Sequence, residues 1–226
     1  MLNFLQIALT NECNFSCWHC PMGKWRNSTR PKFPLRNDEL IPFLDRYVDP
    51  ASWVVELTGG EPTLYEGFDE LVDWLSGKGY YTLVKTNGSN PVPRHDNVKA
   101  CSAFHRLAEP PRHYDEILIV DKIDREAKEE YCKANGIPYK VIGYNKENFD
   151  NSTCGFTFVA YINPAGHNMS CPADRPAQME EGCEDWGRIN HREFFYGRCC
   201  KSCKAAVDAW RFLPEKVKEA GRCHTA

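Results

Sequence analysis

Cys13, Cys17 and Cys20 place three thiols within eight residues, spaced C-x3-C-x2-C, directly behind the apolar run Phe4 to Thr10. A structural zinc site takes four protein ligands and an iron-sulfur cubane is usually held by four thiolates. Three thiols on one loop therefore require a distant fourth ligand or leave a coordination position open. The run before them is too short for three helical turns and reads as a buried parallel strand. That hangs the thiol loop from the C-terminal end of a strand.

At 226 residues the chain is long enough for one main body with a sizeable core and a small appendage. The net charge is -3 with both signs mixed along the chain, so there is no basic footprint for nucleic acid or an anionic membrane. The N-terminal stretch has no basic n-region, and no apolar run approaches the ~20 residues of a membrane span. A cytoplasmic location is expected. In a reducing compartment, twelve cysteines in clustered spacings favour metal ligation over disulfides.

Residues 21 to 37 read as loop, from Pro21, Gly23, Pro31 and Pro34 among polar residues. Leu40, Ile41, Leu44, Tyr47 and Val48 follow at helical spacing, with Asn37 or Asp38 as the start signal. Ser52 to Thr58 predicts a second strand running into Gly59-Gly60-Glu61-Pro62, and Phe68, Leu71, Val72 and Leu75 predict a helix that stops at Gly77 and Gly79. Tyr80 to Lys85 predicts a third strand closed by Thr86-Asn87-Gly88, and Val98 to Phe104 a fourth. Glu116 to Val120 predicts a fifth, followed by a helix with the stripe Ile123, Ala127, Tyr131 and Ala134, and Tyr139 to Tyr144 a sixth. Alternating strands and helices imply parallel β-α units with a site at the strands' C-terminal edge, in an open sheet or a partial barrel.

The thiol loop after strand one, Gly59-Gly60-Glu61-Pro62 after strand two and Thr86-Asn87-Gly88 after strand three resemble the radical S-adenosylmethionine (SAM) superfamily. The resemblance covers residues 4 to about 145. It implies an α/β fold, a partial (β/α)6 TIM-like barrel, over residues 1–149. It also implies a [4Fe-4S] cluster on Cys13, Cys17 and Cys20 whose fourth iron is chelated by SAM. One electron then cleaves the sulfonium to a 5'-deoxyadenosyl radical, with a flavodoxin or ferredoxin as donor. Glu61 can accept from a ligand ammonium, and Gly59 and Gly60 admit close backbone approach. Pro62 and Asn87 belong to the same SAM-binding set. His19 precedes the third cysteine where the family has an aromatic that contacts adenine, and Ser102 matches a strand-four serine that reaches the ribose. Ser102 shares its strand face with Phe104, opposite Cys101, Ala103 and His105.

From about residue 150 the texture changes. Cys154, eleven residues, Gly166, four residues and Cys171 resemble the opening of SPASM/twitch extensions, and Cys200 and Cys203 would complete a set of four. Residues 150–226 are accordingly expected to be a small cysteine-rich β-hairpin twitch domain with an auxiliary [4Fe-4S] cluster; zinc ribbons use similar spacing. The fuller SPASM pattern has cysteines near positions occupied here by Ala209 and Leu213, so one auxiliary cluster is expected. Cys199 is an alternative to Cys200, and Cys101, Cys132, Cys183 and Cys223 read as spare thiols.

The leading expectation is a radical SAM peptide or protein maturase. The first strand starts close to Met1, which leaves no room for an N-terminal leader-binding domain, so the expectation is a separate recognition protein or no peptide substrate at all. The alternatives are a small-metabolite dehydrogenase or rearrangement enzyme, and a metal-stabilised binding module. Lys85, His105, Asp121 and Tyr144 are polar groups near strand ends, and none carries a catalytic assignment.

Overall fold

The computed structural model describes residues 2–17, 20, 34–120, 124–142, 156–164, 166, 168–169, 196–198 and 204–222. Seven parallel strands form its sheet: β1 (Asn3–Thr10), β2 (Trp53–Gly59), β3 (Tyr81–Thr86), β4 (Val98–Ala103), β5 (Glu116–Val120), β6 (Tyr139–Ile142) and β7 (Phe158–Ile162). Their order is β6-β5-β4-β3-β2-β1-β7, an open path and not a ring. Two short strands, β8 (Asn168–Met169) and β9 (Gly197–Arg198), run antiparallel to β7.

The six strands expected from the sequence are present. Phe156 to Ile162 carries the seventh parallel strand, paired with β1 from Phe4↔Val159 to Ile7↔Ile162. Its apolar run Val159 to Ile162 is buried on both faces, which is why it sits inside a sheet and not on a hairpin edge. Gly166 N–H donates to the Asn163 carbonyl, with a positive φ of 74° at the glycine.

Three crossover helices, α1 (Asn37–Tyr47), α2 (Phe68–Gly77) and α3 (Arg125–Ala134), cover one face of the sheet. Leu40, Phe43 and Leu44 of α1 and Phe68, Leu71, Val72 and Leu75 of α2 pack on Leu5, Ile7, Leu9, Val55 and Leu57. Each such side chain contributes about 1.5–3 kcal/mol on full burial. Asn37 does not cap α1; its amide donates to the Gly67 carbonyl and Glu70, and accepts from the Tyr65 hydroxyl. The side chain is therefore spent on tying α1 to the start of α2. The stripe expected for α3 is also displaced: Ala127 and Ala134 are exposed, and the buried positions are Lys128 and Cys132.

The opposite face is closed by α4 (Lys204–Phe212), which is followed by α5 (Glu215–Arg222). Ala206, Ala209, Trp210, Phe212 and Leu213 pack on Phe4, Val54, Leu83, Cys101, Leu118 and Val159. Ala206, Ala209, Trp210 and Leu213 fall at i, i+3, i+4 and i+7, the spacing of one helix face. Lys140 and Lys99 donate to the Arg211 and Phe212 carbonyls at the end of α4, and both pair with Glu116. Lysines at a helix C-terminus satisfy orphan carbonyls and complement the dipole. These lysines sit near the starts of β4 and β6, while Asp208 acts electrostatically on Lys85 near the end of β3. α4 thus descends the inner face, its N-terminal end toward the C-terminal edge of the strands.

Candidate active site at the C-terminal edge of the sheet

The thiol loop leaves β1 against the turn that leaves β2. Gly60 N–H donates to the Thr10 carbonyl and Glu61 N–H to the Glu12 carbonyl, at 2.6 and 2.7 Å. A Cβ at Gly59 would collide with the Thr10 carbonyl and one at Gly60 with the Glu12 carbonyl; Gly59 also has a φ of 141°. Both glycines are required here so that the backbone entering Cys13 can lie directly on the β2 turn.

Glu61 is fully buried, and its carboxylate is not turned outward. Its Oε1 accepts from the Thr63 N–H and hydroxyl and from the Thr86 hydroxyl at 2.6 Å, and its Oε2 accepts from the Asn87 N–H at 2.7 Å. The side chain ties the β2 turn to the β3 turn, with four converging donors satisfying a buried carboxylate. Pro62 is buried at the start of a short 3-10 turn, Pro62–Leu64, in the position where a missing N–H costs nothing.

Asn87 is buried and reaches the thiol loop: its amide donates to the Asn14 side-chain carbonyl at 2.7 Å, and the Asn14 amide donates to the Ser89 hydroxyl. Gly59, Gly60, Glu61, Pro62 and Asn87 are therefore brought together around the loop that carries the cysteines. Ser102 is fully buried, and its hydroxyl donates to the His113 carbonyl at 2.5 Å. It pairs with Thr86, whose hydroxyl bonds Glu61, and its Oγ lies beside Gly88, while Cys101 pairs with Lys85 on the inner face.

Cys13, Cys17 and Cys20 are partly exposed and form no disulfide. Phe15 N–H donates to Cys13 Sγ at 3.4 Å, and Cys20 N–H to the Cys17 carbonyl at 3.3 Å. Among the described residues no three ligating side chains converge as around one metal ion. A cubane places each thiolate on a different iron, so its ligands stand farther apart than those of a single ion. Three accessible thiols on one braced loop, one of them receiving a backbone N–H, fit such a cluster. His19, Cys154, Cys171, Cys200 and Cys203, with Cys199, Cys183, Cys223, Asp121 and Tyr144, lie outside the described residues.

Two of the polar strand-end groups have structural partners. Lys85 is ion-paired with the buried Glu56 at 2.9 Å, and Gln6 donates to Glu56 at 2.5 Å. Burial alone would lower the Lys85 pKa; the Glu56 and Asp208 carboxylates outweigh it and hold it above the ordinary lysine value. The His105 ring meets Phe15 of the thiol loop edge-on at 6.1 Å. Cys101 is pushed up to about 12 by burial and Cys132 is raised by the same cause, in line with the spare-thiol reading. Ala209 and Leu213 are buried in the inner-face core.

Residues 7–101 match the sequence profile of the Radical SAM superfamily. The 7-carboxy-7-deazaguanine synthase of Halobacterium salinarum is 38% identical over 100 residues, which are 44% of this chain and 37% of that protein. The GTP 3',8-cyclase of Helicobacter pylori is 30% identical over 90 residues, 39% of this chain and 28% of that protein. The 7-carboxy-7-deazaguanine synthase of Bacteroides thetaiotaomicron is 32% identical over 108 residues, covering 48% of this chain and 54% of its own length. The matched segment is therefore between 28% and 54% of the length of these relatives. In fold, SuiB of Streptococcus suis bound to S-adenosylmethionine superposes with a TM-score of 0.52 at 11% identity, over 80% of this chain and 62% of that one. The named relatives are enzymes, and the thiol loop with the glycine turn that braces it lies inside the matched segment. Over residues 7–101, with their β-strands, thiol loop and Glu61 clamp, this chain is similar to the Radical SAM superfamily.

Proposed function

We propose that the protein is a radical SAM enzyme whose reactive centre is the loop Cys13 to Cys20. The observation that carries this is the bracing of that loop by Gly59, Gly60, Glu61 and Asn87 at the C-terminal edge of a parallel sheet. A [4Fe-4S] cluster held by Cys13, Cys17 and Cys20 supplies one electron, from a flavodoxin- or ferredoxin-type donor, that cleaves SAM to methionine and a 5'-deoxyadenosyl radical. The chain's own part is to fix the three thiolates and leave one iron for the ligand. Glu61 acts through the turns it joins, and the backbone of the β2 turn and the Asn87 region form the wall against which SAM binds.

The substrate we propose is a small molecule. The relatives that share sequence with this chain are named for small-molecule products or substrates, and α4 fills the lower inner face, so a substrate enters above it from the C-terminal edge. The peptide or protein substrate of the sequence-based expectation is the competing outcome. An auxiliary [4Fe-4S] cluster on Cys154, Cys171, Cys200 and Cys203 is proposed on their spacing; Cys203 immediately precedes α4 in the sequence.

Anaerobic reconstitution followed by dithionite and SAM tests the reaction: 5'-deoxyadenosine and methionine are expected, and their absence from an iron-loaded sample overturns the proposal. About eight irons per chain support both clusters, and about four remove the auxiliary one. Incubation with purine nucleotides against precursor-type peptides, followed by mass spectrometry, separates the two substrate classes.

A further inference from the structure

Asn14 and Phe15 flank the peptide group whose N–H meets a cysteine sulphur: Phe15 N–H donates to Cys13 Sγ at 3.4 Å. Each of the two residues is held by a different part of the sheet edge. Asn14 closes a hydrogen-bond cycle with the turn after β3, in which Asn87 Nδ2 donates to Asn14 Oδ1 at 2.7 Å, Asn14 Nδ2 to Ser89 Oγ at 2.9 Å and Ser89 N–H to Asn87 Oδ1 at 3.0 Å. Both amides use a donor and an acceptor in that cycle, so turning either one over breaks two bonds at once. The turn is itself fixed, because Asn87 N–H donates to Glu61 Oε2. Phe15 is held at the end of β4. The His105 ring meets its ring edge-on with centroids 6.1 Å apart, and the Arg106 guanidinium stands 5.2 Å from its centre, tied in turn to Glu109 at 3.0 Å. The peptide between Asn14 and Phe15 thus has a side-chain anchor at each end.

We propose that Asn14 and Phe15 are positioning residues for the reactive cluster: by fixing the peptide between them they hold its N–H on the Cys13 sulphur, which favours the reduced form of a [4Fe-4S] cluster at Cys13, Cys17 and Cys20. One-electron reduction adds negative charge that the thiolate sulphurs share, and an N–H aimed at one of them offsets part of it. The chain thereby tunes the cluster without supplying a charge of its own. The inference rests on the cluster assignment proposed above.

The test has two measurements on reconstituted protein without SAM. In the first, wild type grown on 15N-phenylalanine is reduced with dithionite and read by pulsed EPR. A 15N coupling to the cluster is expected, and it should be missing from Phe15→Leu prepared in the same way, where the donor nitrogen carries no label. A cluster-loaded wild type without that coupling, or a coupling that persists in Phe15→Leu, overturns the inference. The second is an EPR-monitored redox titration of Asn14→Ala, Phe15→Leu, the double variant and Phe15→Tyr, none of which changes a charge. The double variant is expected to disfavour the reduced cluster about tenfold, a negative midpoint shift of about 59 mV for one electron. Each of Asn14→Ala and Phe15→Leu should shift less, and Phe15→Tyr, which keeps the ring, should stay near wild type. An iron-loaded double variant with the wild-type midpoint overturns the inference, since it leaves the two side chains a packing role. If the double variant takes up no iron, the labelled wild type decides. Wild-type protein that binds no cluster overturns the proposed function itself, which the iron content reports separately.

Discussion

A carboxylate that accepts from two backbone N–H groups on different oxygens cannot become an amide without turning an NH2 group on one of them. Glu61 is in that position: Thr63 N–H meets Oε1 and Asn87 N–H meets Oε2, and neither backbone donor can rotate away as the Thr63 and Thr86 hydroxyls can. Glu61→Gln is expected to cost about 1–3 kcal/mol in urea denaturation of the apoprotein, with lower iron uptake on reconstitution. An unchanged denaturation midpoint would show that the clamp is dispensable. Thiol reactivity is set at the same scale. At pH 8 the buried Cys101, with its pKa pushed up to about 12, stays protonated and covered, while the loop thiols are accessible. Brief iodoacetamide treatment of the native apoprotein is expected to label Cys13, Cys17 and Cys20 and to spare Cys101 and Cys132 until denaturant is added, as peptide mapping would reveal.

Elements here are joined by polar contacts as much as by apolar ones. β1, β2 and β3 share Gln6, Glu56 and Lys85 on the inner face, with Asp208 of α4 adding its charge. The raised Lys85 pKa stabilises the fold fully below the unfolded lysine value near 10.5, and that contribution is lost as pH rises through the higher folded value. Lys85→Met leaves Glu56 as a buried charge bonded to Gln6 alone, and a loss of about 3 kcal/mol is expected. Combining it with Glu56→Gln should recover most of that loss in a double-mutant cycle; additive losses would mean the pair is not coupled. The glycine turn is a second joint between elements. Gly60→Ala pushes the Glu12 carbonyl, and the thiol loop with it, off the β2 turn, so iron content after reconstitution should fall while the far-UV spectrum is kept.

At the scale of the whole molecule, α4 and β7 belong to the body formed by the first six strands. Trp210 packs edge-on against Phe156 at 5.2 Å in the same core as Leu83 and Leu118. Trp210→Ala is therefore expected to lower global stability by about 3 kcal/mol in a single cooperative transition. A separate early transition that leaves the sheet's unfolding unchanged would mean that the C-terminal segment folds as its own unit. The same core explains why Ala209 and Leu213 are apolar where a fuller cysteine pattern has thiols.

The sequence by itself determined the chemistry-bearing segments and their order along the chain. Three thiols at short spacing, a Gly-Gly-Glu-Pro turn and Thr-Asn-Gly sit next to the strands that carry them, and local patterns of that kind are legible without a fold. Tertiary structure alone decided what meets what. Glu61 closes on Thr86 and Asn87 because β2 and β3 are neighbours, and strand register turned Ser102 away from the inner face. β7 returns to β1 across more than 140 residues, a pairing that no local pattern encodes. Lys128 counts as polar in any hydrophobic pattern, yet it is buried with its Nζ on the His105 carbonyl and beside the Phe104 ring at the end of β4. Sequence patterns report which side chains avoid water, whereas the partners that let a charge or a carboxylate avoid it come from elsewhere in the chain.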